Sequence, residues 1–273
     1  MASLFDPNLK LQWAKKHLDH LGEKIATFRR RNKQRTSTED DPTNGWYLIR
    51  TEITHDAAVF EIALIVGDFV SCLRSCLDHL AWQLALFSSP NPSRDICFPI
   101  CEKDSLDTQV RITKSTYGIP ETAISIVKSF QPYHAGDAYK STHLWRLNKL
   151  WNLDKHRHIT PHGVVTDWLF NIRGVDGVDR YAAEFSFRGQ QVEFIVEQLE
   201  NGCIMKIPLA MKNQVHFNPN PDAATVDIRF GSDAEGIEIG YGGLVEIYEC
   251  VAKTVIPGFA GFFPQSEATG TGF

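Results

Sequence analysis

Residues 64–87, LIVGDFVSCLRSCLDHLAWQLALF, decide how the rest of the chain is read. Val66, Phe69, Val70, Leu73, Leu77, Leu80 and Leu84 recur at spacings of three and four, which predicts a helix with one broad buried face. Asp68, Arg74, Ser75, Asp78 and His79 lie inside it. A charge placed in a helix built for burial costs roughly several kcal/mol unless it finds a partner, so Arg-Ser-x-x-Asp-His is a candidate for chemistry. The plainer reading is an Arg74–Asp78 pair, four residues apart, that serves structure, beside a hydrogen-bonded core histidine at 79.

Working outward, Leu9 to about Asn32 carries apolar residues near the helical period and ends in Arg29-Arg30-Arg31, which predicts a long first helix. The polar run Thr36 to Asn44 reads as a loop. Trp46 to Ile53 alternates like a strand, and Ala57 to Ile65 is rich enough in Val, Phe and Ile to pair with it, giving a small hairpin near 46–62. Cys97 to Ile100 reads as an extended piece, Pro120 to Phe130 as a short helix, and Ser141 or Thr142 as the cap of a helix running to about His158. Beyond Gly163 the period changes to two. Short β-type runs at 164–172, 181–187, 192–196, 203–207, 225–230 and 237–239 predict an antiparallel sheet, after which Leu244 to Phe259 forms a helix that packs back. Helices first and strands afterwards, without βαβ alternation, predict an α+β fold. The expected division is a helical part at 1–160, a sheet with the returning helix at 161–265, and a loose tail at 266–273.

At 273 residues and 43% apolar composition the chain can bury a full core. No stretch reaches 18 uncharged apolar residues and the start has no leader pattern, so neither a membrane span nor secretion is expected. The six cysteines form no Cys-x-x-Cys pair and read as reduced thiols of a cytoplasmic protein. Cys72/Cys76 and Cys97/Cys101 share a spacing that could make a four-thiolate zinc site, but core packing is the plainer account. The net charge of −5 is uneven: residues 1–158 hold 21 Lys+Arg against 18 Asp+Glu, and residues 159–273 hold 7 against 15. Only the amino-terminal part is suited to an anion.

A second constellation follows Trp151. Leu144, Leu147 and Trp151 define an inward stripe that reaches Asp154 and His158, while Lys155, His156 and Arg157 point to neighbouring surfaces. A carboxylate one turn before an imidazole can orient its ring, or both can ligate a metal. A charged run at a helix C-terminus also simply complements the helix dipole.

The Arg74-Ser75-Cys76-Leu77-Asp78-His79 hexapeptide resembles the Arg-x4-6-His signature of HEPN domains, helical modules found in many prokaryotic toxin and defence ribonucleases. More closely, Leu73-Arg74-Ser75-x-Leu77-Asp78-His79-Leu80, Phe98-Pro99-Ile100, Gln131-Pro132-Tyr133 and Asp154-Lys155-His156-Arg157 are similar to a widespread bacterial protein family with LRSxLDHL and DKHR motifs, over roughly residues 65–160. The HEPN resemblance implies cleavage of RNA without a metal or other cofactor, at a homodimer interface where two Arg/His sets meet. Arg74 would then stabilise charge on the phosphorane while His79 handles a proton. Ser75 stands where that signature often has Asn.

Three functions follow as expectations. The first is a HEPN-like RNA-cleaving or RNA-binding homodimer using Arg74, His79, Asp154 and His158, with Asp78, Lys155, His156, Arg157 and the basic residues Arg29, Arg30 and Arg31 contacting RNA. The second is a metal-dependent helical-bundle enzyme with ligands from His20, His79, Asp154 and His158. The third is a non-catalytic, dimeric interaction protein in which the ionic residues fix helix register.

Overall fold

The computed structural model describes residues 2–31, 35–52, 58–156, 159, 161–168, 171–173, 179–181, 186–187, 190–191, 195–199, 202–214, 216–217, 224–232, 234 and 236–263. The fold is α+β. Helices α1 (Phe5–Arg31), α2 (Ala58–Ala85), α3 (Leu106–Ser115), α4 (Glu121–Ser129) and α5 (His143–His156) come first, interrupted by the hairpin β1 (Arg35–Asp41) and β2 (Trp46–Glu52). Strands β3 (Pro161–Trp168), β4 (Asn171–Arg173), β5 (Asp179–Tyr181), β6 (Ser186–Phe187), β7 (Gln190–Gln191), β8 (Ile195–Leu199), β9 (Gly202–Pro208), β10 (His216–Phe217), β11 (Ala224–Ser232) and β12 (Ile237–Gly240) follow, and α6 (Tyr241–Cys250) opens the closing helical segment. Among the described residues no helix is long and apolar enough to cross a membrane.

The chain divides into two units that are discontinuous in sequence. The first takes residues 1–21, 63–159 and 232–273, the second 22–62 and 160–231. The expected boundary near 160 is therefore only one of several crossings.

In the second unit, β1, β2, β9 and β8 form an antiparallel sheet in that order. Here the hairpin differs from expectation. The partner of β2 is the polar stretch Arg35–Asp41, paired from Arg35↔Glu52 to Asp41↔Trp46, and not the apolar run after Ala57, which opens α2. The polar stretch works as a strand because it lies at the sheet edge, where charged side chains such as Glu39 and Asp40 stay exposed and blunt further pairing. Asp41 accepts the Asn44 N–H at 3.1 Å and Gly45 takes φ 75°, which closes the turn. These Asn44 hydrogen bonds also hold the Asp41 carboxyl below its usual range.

In the first unit, α2 supplies more of the core than any other element. Phe69, Val70, Leu73, Leu77, Leu80 and Leu84 are wholly buried, as the spacing predicts. The start of α1 packs against the end of α2, where Gln83 Oε1 accepts the Ser3 N–H at 2.9 Å and Gln83 Nε2 donates to Asp6 at 3.2 Å. Helix α3, unanticipated from the sequence, is capped by Ser105, which accepts the Thr108 N–H at 3.2 Å. The closing segment returns to the helices as expected: Glu246 of α6 faces Arg146 of α5 at 3.8 Å. Further along, Phe259 meets Phe98 edge-on, with ring centroids 6.4 Å apart.

Candidate functional site

Arg74 and Asp78 leave α2 on the same side, one turn apart, and meet the segment around Phe98. Arg74 Nη2 donates to Asp78 Oδ1 at 2.8 Å and to the Phe98 carbonyl at 2.6 Å, while the Phe98 N–H donates to Asp78 Oδ1 at 3.0 Å. Two side chains thus hold both backbone groups of one buried residue, in the way a neighbouring strand would. Arg74 is 6% exposed, and its Nε and Nη1 are buried without a hydrogen-bond partner. Trp151 of α5 covers the guanidinium, with Cζ 5.4 Å from the ring centroid. Burial pushes the Asp78 carboxyl above the usual carboxylate range, outweighing the nearby Arg74 charge and the Phe98 N–H.

The same device recurs two residues on. Gln131, itself buried, accepts the Cys101 N–H at 2.9 Å and donates to the carbonyls of Pro99 and Val127, each at 2.9 Å. Trp145 Nε1 donates to Glu102 at 2.8 Å, adding α5 to the set. Residues 97–102 are accordingly a segment outside any helix or strand, packed among helices, with much of its backbone satisfied by side chains. Pro99 has no N–H to satisfy, which eases burial. The Phe98-Pro99-Ile100 and Gln131-Pro132-Tyr133 pieces thus meet at one segment beside the Arg74–Asp78 pair.

Asp154 turns inward, as its stripe predicts, and its carboxylate lies against Gly67 of α2; a Cβ at 67 would sit 2.9 Å from Asp154 Cγ. Helices α2 and α5 meet through Arg74–Trp151 and Gly67–Asp154. Lys155 and His156 are exposed, and Lys155 Nζ lies 5.0 Å from the Trp151 ring. Arg157 and His158 fall outside the described residues. His79 is half-buried beside Asp78, and among the described residues no hydrogen bond or ion pair engages it.

Arg29 and Arg30 are exposed near the end of α1, with Arg30 donating to Thr27 at 3.2 Å; the backbone of Arg31 closes that helix. They belong to the second unit, and Arg74 and His79 to the first. Among the described residues no group of three or more His, Cys, Asp or Glu side chains could hold a metal ion, so His20, His79 and Asp154 do not gather into the ligand set considered above. The thiols of Cys72, Cys76, Cys97, Cys101 and Cys250 are free, and burial raises the pKa of each, that of Cys76 to about 12. They are held as neutral packing groups. Gln131 was missed as a functional position because an amide preceding proline carries no periodic signal; only its hydrogen bonds reveal it. Comparison with protein-family models, with curated proteins and with solved structures returns no match.

Proposed function

We propose that this chain is a non-catalytic interaction protein in which the Arg74–Asp78 motif serves architecture. One observation carries the reading: the Arg74 guanidinium is enclosed and committed to Asp78 and to the Phe98 carbonyl. A group that stabilises a developing phosphorane must be reachable by the phosphate and aimed at it. Removing one partner of a buried pair costs about 3–5 kcal/mol, and at about 2–4 °C per kcal/mol Arg74→Ala should lower the melting temperature by on the order of 10 °C. Arg74→Lys should also destabilise, because an ammonium is more strongly hydrated than a guanidinium, hence costlier to bury, and lacks the flat face that lies over Trp151. Calorimetry of both variants, beside RNA integrity after incubation with each, tests the reading. RNA cleavage lost in Arg74→Lys at an unchanged melting temperature would overturn it.

A second reading, HEPN-like cleavage or binding of RNA, is supported by His79, which is uncommitted among the described residues and partly open to solvent. It expects RNA degradation that persists in EDTA and disappears in His79→Ala.

A further inference from the structure

We draw no further inference here: the strongest candidate, the buried Nε and Nη1 edge of the Arg74 side chain under Trp151 between α2 and α5, belongs to the site already described, and an anion held there is what the HEPN resemblance already implies.

Discussion

Gly67 is buried in the middle of α2, where alanine would ordinarily favour a helix by about 1 kcal/mol. The Asp154 carboxylate occupies the space a Cβ would need. Gly67→Ala should therefore destabilise, by roughly 1–3 kcal/mol, against its helix propensity. The cost should shrink in the presence of Asp154→Ala. Urea denaturation of the four-member cycle checks this: additive effects would mean the two residues do not share the space. Asp78 gives a second test at this scale. Its folded pKa is raised by burial, so its contribution to stability is full below the unfolded value, about 3.9, and declines as pH rises through the folded value. The stability advantage of wild type over Asp78→Asn should accordingly be larger at pH 3 than at pH 7, by denaturant titration at each pH. An advantage that grows with pH would show that the Arg74 charge outweighs burial.

Two elements behave as they do for reasons outside their own residues. The segment 97–102 has no strand to pair with and depends on side chains of α2 and of the stretch after α4. Gln131→Leu would strand the Cys101 N–H and the Pro99 carbonyl, each at about 1–3 kcal/mol, and should lower the melting temperature about as much as Arg74→Ala. An unaffected melting point would mean that the segment takes its order from the packing of Phe98 alone. The closing helix shows a different constraint. Pro257 lacks an N–H, and its ring crowds the carbonyl four residues back, so α6 widens into a π turn at Val251–Val255, where the Ile256 N–H reaches the Val251 carbonyl. Widening there carries the chain on to Phe259, which packs against both Phe98 and Phe130.

At the scale of the whole molecule, apolar burial and thiol chemistry are tied together. Five of the six cysteines have raised pKa values from burial, so native protein in a Cys203→Ser background should react slowly with Ellman's reagent at pH 8 and release five thiols once unfolded. A fast equivalent in the native state would reveal an activated thiolate.

What the sequence determined by itself was the local and periodic part. The α2 stripe, the switch to period two after residue 163, the short helix before Gln131 and the returning helix all follow from spacing and from Pro and Gly stops. Two errors share a physical origin. Edge strand β1 carries no apolar alternation because Ser37 to Asp40 are exposed on both faces, and the run at 57–65 satisfies strand and helix periods equally until α2 extends it. The site divided in the same way. Spacing placed Arg74 with Asp78 and turned Asp154 inward, since both follow from 100° per residue along a helix. That Arg74 belongs to Phe98, Gln131 to Pro99 and Gly67 to Asp154 was decided by tertiary structure alone, because hydrogen bonding and steric exclusion between segments 24 to 87 residues apart leave no period in the chain.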